Sequence, residues 1–367
     1  MVRAWGWWGA AYREAVFRLA DHAQSAAEQV RDAAPAPVAT GWVSRPARVS
    51  RAEGHALPLT GLDGANPLAF LAALGTLLTC DQLSRAAARP DWLGGRVTLS
   101  WGDATSPNVP VLHLPAPPPA TVAFADFLAA GLAKRVEDHS AAWVVRMLEL
   151  GLPKGAARDF ASIARHAVPP RPEDRHRLDW VTALSCESAI DADSQLQTVR
   201  CDYLLGNIRS VMHRTGADHL HRALFAPWDY SDSLNNQSLH WEPSEDRRHA
   251  YQWLVPTNSR SRETGGMLGA NRLALEAWPL FPSFPDGDRV RTRGFRGNRA
   301  ASTFWLWPLW DSCLTADGVA SMLSLRGLQA DPLGADPLRG FGVVSVFRSQ
   351  RILVGKTPNL TPPDRVI

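Results

Sequence analysis

Residues 61–88, GLDGANPLAFLAALGTLLTCDQLSRAAA, constrain the fold more than any other stretch of the chain. A turn at Asp63-Gly64-Ala65-Asn66-Pro67 leads into an apolar helix expected from Leu68 to about Ala88. Asn66 suits the N-cap, where a short polar side chain accepts from the unpaired N–H groups of the first turn. Pro67 suits the first helical position, where its missing N–H is no loss. Leu68, Leu71, Ala72, Gly75, Leu78 and Leu83 fall on one face, which demands burial. The small side chains of Ala69, Ala72, Ala73 and Gly75 would let a second element approach this helix closely.

The text around it alternates between the periods of strands and helices. Val97, Leu99 and Trp101 alternate as in a strand, and VPVLHLPAP reads as a second short strand ended by prolines. Residues 121–168 are helical in pattern, and LQTVRCDYLLGNIRSVMHRTGADHLHRALFAPW reads as two helices meeting near Thr215-Gly216-Ala217. SLHWEP is expected as a strand, and GANRLALEAWPLFPSFP as a helix broken by its prolines. VRTRGFRGNRAASTFWLWPLW suggests a hairpin turning near Gly297-Asn298. DGVASMLSLRGL reads as a final helix, and GVVSVFRSQRILVG as a closing pair of strands. The expected class is α+β: mixed helices and short antiparallel strands in one large domain, preceded by a single amphipathic helix.

That leading helix lies within RAWGWWGAAYREAVFRLADHAQSAAEQVR, residues 3–31, where Trp8, Ala11, Tyr12, Ala15, Val16, Leu19 and Ala20 recur at helical spacing. Asp21 and Ser25 are four apart and therefore neighbours on the helix surface. A lone amphipathic helix opening with three tryptophans cannot bury them by itself, so a partner structure is expected upstream. The aperiodic AAPAPVATG that follows reads as a linker. The expected organisation is residues 1–33 as a terminal helix, 34–60 as a Pro/Ala-rich linker and 61–367 as the α+β domain.

Acidic and basic residues nearly cancel over the 367 residues, leaving a net charge of +3, so nucleic-acid binding can be argued only from local clusters. Of the 39 basic residues only Lys134, Lys154 and Lys356 are lysines. A GC-rich coding sequence explains that bias as readily as phosphate recognition does. The four cysteines form no C-x-x-C pair, which fits a reducing compartment and neither a zinc ribbon nor a disulfide framework. A cytoplasmic chain without a membrane association is the expectation.

No nucleotide-binding loop, hydrolase elbow or H-E-x-x-H motif occurs. Asp191 and Asp193 read as a solvated turn. His219 and His221 fall on opposite sides of their helix, an unsuitable arrangement for joint metal ligation. The strongest local cluster is RVRTRGFRGNR, with Arg289, Arg291, Arg293, Arg296 and Arg299 around Phe295. On a strand, Arg289, Arg291 and Arg293 would share a face. Guanidiniums beside an aromatic ring suit phosphates and unstacked bases, whereas a solvated hairpin tip is the plain alternative. The aromatic-rich residues 228–253 read as core or interface, with base stacking as the alternative. Arg348, Arg351 and Lys356 are expected to decorate the last sheet edge.

Two resemblances tie these parts together. WGWWGAAYREAVFRLADHAQS resembles the last helix of the HD-type nuclease domain in the helicase–nuclease of type I CRISPR systems, whose pattern is roughly G-W-G-x-A-x-x-E-A-x-x-R-L-A-D-x-x-x-S. In that family the Asp helps hold the catalytic metal and the Ser supports the site; by position these are Asp21 and Ser25. The family's remaining histidine and HD ligands lie upstream in its pattern and have no counterpart in this chain. A hydrolytic metal centre needs several ligands at once, so the fragment is expected to be catalytically incomplete. A divalent metal is implied only where a second chain completes the site in trans.

The motifs NPLAFLAALG, WEPSEDRRHAYQW, GANRLALEAWPLFP and FWLWPLWD resemble the extension proteins of type I-G (formerly I-U) CRISPR systems, fused behind the helicase–nuclease or encoded beside it. Together the resemblances imply an antiviral accessory module with three partners: the CRISPR helicase–nuclease, the crRNA-guided surveillance complex and DNA. Residues 289–299 are the expected DNA contact. The alternative is a split metal-dependent DNA nuclease, in which Asp21 completes a site on another chain.

Overall fold

The computed structural model describes residues 54–86, 88–102, 106–138, 179–180, 182–183, 194–199, 201–233, 238–243, 265–286, 289–297, 302–354 and 357–367. The leading helix, Asp191, Asp193, Arg299 and Lys356 lie outside them.

Helix α1 (Pro67–Ser84) is the centre of the structure. Asn66 caps it through Oδ1, which accepts from Leu68 N at 2.9 Å and Ala69 N at 3.2 Å. Every residue from Pro67 to Cys80 is buried, so the helix is enclosed all round and not merely along the apolar stripe. By length and composition its 18 residues could cross a membrane, yet 78% of them are buried inside the protein.

Gly75 decides what packs on α1. An added Cβ there would lie 1.7 Å from the carbonyl oxygen of Leu273 in α5 (Leu268–Ala277). The two backbones therefore touch directly. A similar approach occurs at the other face of α5, where a Cβ on Gly269 would lie 2.0 Å from His219 O in α4 (Ala217–Phe225). Helices α2 (Thr121–Asp138) and α3 (Cys201–Arg214) complete this helical layer.

Among the described residues the strands form three antiparallel sheets. Strand β1 (His55–Pro58) pairs with β3 (Pro110–Leu114), which pairs with β2 (Thr98–Trp101). Strands β4 (Ser283–Asp286) and β5 (Arg289–Thr292) form a ribbon. The largest sheet joins β6 (Phe295–Arg296), β7 (Phe304–Trp310), β8 (Val343–Val354) and β10 (Asp364–Arg365), with β9 (Thr357–Leu360) also on β8. Pro308 sits inside β7, but β6 is paired with β7 only at Trp305 and Phe304. At Pro308 that edge carries no β6 partner, so a missing N–H breaks no β6 hydrogen bond. Short helices α6 (Ala316–Met322) and α7 (Ala335–Arg339) lie between β7 and β8.

An aromatic cluster joins helix to sheet. Phe70 of α1 lies 5.6 Å from Trp101, 6.3 Å from Trp305 and 6.1 Å from Trp307, ring centre to ring centre. Two indole donors are satisfied across elements, Trp307 Nε1 donating to Gly64 O and Trp310 Nε1 to Leu99 O, whereas those of Trp101 and Trp305 are buried without an acceptor. These bonds let large amphipathic rings sit in the core.

The α+β class agrees with the expectation from the sequence, and three local features differ. Strand β1 falls within the stretch expected to be linker, because Leu57 is buried and its backbone pairs with Leu112. The expected strand at SLHWEP is irregular where described: Leu239 N donates to Asn271 Oδ1, Thr198 Oγ1 donates to Leu239 O, and His240 has φ +61°. Side-chain bonds there replace a sheet ladder. The closing strand pair is instead one continuous strand of 12 residues, Val343–Val354, with β9 returning beside it.

Replacing Gly75 with Ala is expected to cost about 3 kcal/mol or more, because the backbone facing it cannot yield as a side chain can. Gly206 lies in α3 with nothing within 4 Å of a built Cβ. Gly206→Ala should therefore gain roughly 0.5–1 kcal/mol. Chemical denaturation of the two variants beside the parent protein measures both signs.

Candidate nucleic-acid interface

The sequence cluster at 289–299 does not fold as one basic row. Strand β5 ends at Thr292, and Gly294 has φ +81°, so the chain turns before a third alternate arginine can join the face. Arg293 lies in that turn and faces inward. Its Nη1 donates to Leu280 O at 2.9 Å, and burial lowers the guanidinium to about 10, partly offset by Asp179. Arg291 is half-buried on β5, opposite the partly exposed Phe284. Arg289 pairs through its backbone with Asp286, and its side chain lies outside the description.

Phe295 is 1% exposed and stacks on Trp305 at 5.8 Å and 10°. Its ring is a core ring and offers no face to an incoming base. Thr292 anchors the same region from the other side: its N–H donates to Gln195 Oε1, and its hydroxyl accepts from Gln195 N. The cluster is thus built largely into the protein, since its apolar and hydrogen-bonding parts meet buried partners.

Arg296 is the exception, and it meets residues from elsewhere in the chain. The register places Arg296 beside Phe304 and Phe304 beside Gln350, while Leu306 lies beside Arg348 and Arg348 beside Asp364. Residues paired across antiparallel strands share a face, so Arg296, Phe304 and Arg348 lie together on one side of the largest sheet. The Phe304 ring has the guanidinium carbon of Arg348 at 5.1 Å and that of Arg296 at 5.8 Å from its centre. Both are within cation–π range.

Each arginine also has a weak acidic neighbour. Arg296 Nη2 lies 3.5 Å from Asp331, and Arg348 Nη2 lies 3.8 Å from Asp364; those aspartates are 77% and 75% exposed. Exposed pairs of this kind contribute about 0–1 kcal/mol and are readily exchanged. Arg296 is held more firmly by a second bond from Nη1 to Ala330 O at 2.8 Å. Arg351 turns away and donates from Nη2 to Gln197 O at 3.0 Å. The sheet face therefore presents one aromatic ring with a guanidinium near it on each side.

No protein-family model, curated protein or solved structure matches this chain. The site stands on its own geometry.

Other clusters are arranged differently. A cleft of about 490 Å³ is lined by Asp81, Arg85, Arg89, Arg96 and Asp317, so its charges largely cancel. Burial raises the Asp81 carboxyl, Arg85 at 2.6 Å opposes that shift, and Asp317 adds to it. His219 and His221 serve packing: His219 Nδ1 accepts from Gly216 N, and His221 Nε2 lies 3.1 Å from Thr121 Oγ1. Among the described residues no group of three or more His, Cys, Asp or Glu side chains could hold a metal. Asp21 and Ser25 lie outside the description.

Sequence reasoning had Arg296 and Arg348 in separate features and did not single out Phe304. Their alternate positions in FRG, FWLWPLW and VFRSQ carried a signal, but the strand register that joins them is a tertiary fact. Phe295→Ala is expected to cost about 3–5 kcal/mol of stability by emptying the core. Phe304→Ala should cost less, because its ring is only half-buried at the edge of the core. Thermal unfolding of the two variants separates the core ring from the half-buried one.

Proposed function

We propose that this chain is a non-catalytic, cytoplasmic CRISPR-associated accessory module that links a helicase–nuclease to the crRNA-guided surveillance complex and contacts target DNA. The sequence resemblances supply the biological setting. The observation that carries the DNA contact is the Arg296–Phe304–Arg348 arrangement at the partly exposed end of one sheet face. Guanidiniums neutralise phosphates, and the Phe304 ring that both of them cover holds the pair together on one sheet face, a spacing suited to the backbone of a DNA strand.

Fluorescence anisotropy with single-stranded and duplex oligonucleotides over a salt series tests this reading. Arg296→Glu with Arg348→Glu should weaken single-strand binding and reduce the magnitude of the log–log salt slope by about 1.4, at roughly 0.7 per phosphate contact. Phe304→Ala should weaken binding less than the double arginine variant does, with little change in slope, because it removes no charge. Salt-insensitive binding, or no loss in the double arginine variant, removes the DNA contact. Co-purification with the surveillance complex tests docking separately. In the split-nuclease reading, carried by the match at Asp21 and Ser25, Asp21→Ala abolishes metal-dependent cleavage in trans and leaves DNA binding intact; unchanged cleavage removes that reading.

A further inference from the structure

The cleft of about 490 Å³ lies where the end of α1, the loop Gly94–Arg96 and the start of α6 come together. Three guanidiniums, of Arg85, Arg89 and Arg96, and two carboxylates, of Asp81 and Asp317, line it and leave one positive charge over. The cations are not equally engaged. Arg85 is bonded to Asp81 at 2.6 Å. Arg89 makes one long bond within its own turn, from Nη1 to Ala86 O at 3.4 Å. Among the described residues no acceptor meets the Arg96 guanidinium. Gly94 admits Arg89 to the loop that carries Arg96, since a Cβ there would lie 3.7 Å from Arg89 Nε. Arg89 and Arg96, both exposed, therefore converge on one short stretch of backbone.

The carboxylates limit what those two cations can receive. Asp81 and Asp317 are near enough to repel each other: burial raises the Asp81 carboxyl, and the Asp317 charge adds to the rise. Asp317 is exposed, and among the described residues no donor is bonded to its side chain. Thr315, also in the lining, accepts from Gly318 N at 3.2 Å through Oγ1, which leaves its hydroxyl hydrogen available to donate. An anion drawn in by the arginines thus meets two carboxylates in the same cleft. It is accepted without a net penalty only if it also presents donors to them.

We infer that this cleft binds a small phosphate monoester with adjacent hydroxyl groups, the chemistry of a sugar phosphate, its phosphate on Arg89 and Arg96 and its hydroxyls donating to Asp317 and Asp81. Two guanidinium forks favour phosphate over carboxylate, because a carboxylate is filled by one fork whereas three phosphate oxygens can serve two. The volume lies within the range of about 300–1,000 Å³ common to small-molecule sites. A nucleic-acid strand fits less well: it offers one phosphate after another, and the carboxylates oppose that charge. The inference is independent of the DNA-binding face, which lies on the largest sheet.

The test is calorimetric titration of the full chain with ribose 5-phosphate, cyclopentylmethyl phosphate, inorganic phosphate and a single-stranded oligonucleotide. Ribose 5-phosphate should bind saturably and roughly tenfold tighter than cyclopentylmethyl phosphate, which keeps the charge but has no hydroxyl. Arg89→Gln with Arg96→Gln should weaken ribose 5-phosphate roughly a hundredfold. Asp317→Asn keeps both arginines and reads the carboxylate separately. It should strengthen cyclopentylmethyl phosphate, by removing a repulsion, and shrink the preference for the sugar. Equal strengthening of both esters, or equal affinities in the parent protein, overturns the hydroxyl recognition. Inorganic phosphate binding as tightly as ribose 5-phosphate overturns the ester, and binding that survives the double arginine replacement overturns the site. No saturable heat with ribose 5-phosphate overturns the small-molecule class, whether or not the oligonucleotide binds through the same arginines.

Discussion

Two helices meet backbone to backbone at Gly75, and most of the protein is arranged around that crossing. Helix α1 can be enclosed on all sides because α5 lies against it with no side chain between them, Leu273 O occupying the space where a Cβ would be. Such proximity multiplies dispersion contacts for every neighbouring side chain. It also carries polar backbone ends into the interior, and these are individually satisfied. Asn66 caps the start of α1 and donates from Nδ2 to the buried Glu242, while Asp232 accepts from Leu268 N at the start of α5 and pairs with Arg222. The polar groups in this core hold helix ends in place.

The fate of the arginines follows from the cost of desolvation. A guanidinium can be buried where carbonyl or carboxylate oxygens meet it, as at Arg293 and Arg272, and such residues then serve the fold. At the sheet surface Arg348 stays partly exposed with only a loose ion pair, and Arg296 lies between the two cases, 18% exposed and bonded to Ala330 O as well as near Asp331. Arginine-rich sequence therefore divides into structural and surface members, and the division depends on which carbonyls the fold brings close. A phosphate-binding role is physically more open to the second group than to Arg293, which is desolvated and has Nη1 committed to Leu280 O.

The same split separates the rings. Phe295 and Trp305 stack inside, whereas Phe304, one residue before Trp305, is half-buried beneath two guanidiniums. Alternation along β7 makes that difference. An aromatic ring flanked by arginines on a sheet is a modest surface by itself. The proposed accessory role asks for no more: a module that holds or guides a displaced strand needs several weak, salt-sensitive contacts and no catalytic group.

Local chemistry in the sequence determined the start of α1, since Asn66-Pro67 is a capping arrangement that needs no tertiary help. Hydrophobic period also determined the strands at Thr98 and Pro110, the helix pair broken near Gly216, and the α+β class. Pairing was beyond it. A one-residue shift between β7 and β8 would send Phe304 inward and separate it from Arg348, and nothing local forbids that shift; the packing of Trp305 and Trp307 against Phe70 does. For the same reason the row expected from Arg289, Arg291 and Arg293 dissolved: the turn at Gly294 and the carbonyl of Leu280 compete for Arg293 more strongly than strand alternation does. Residue types are a property of the chain, but whether an arginine is a strut or a surface charge is decided by which oxygen atoms the fold places within its reach.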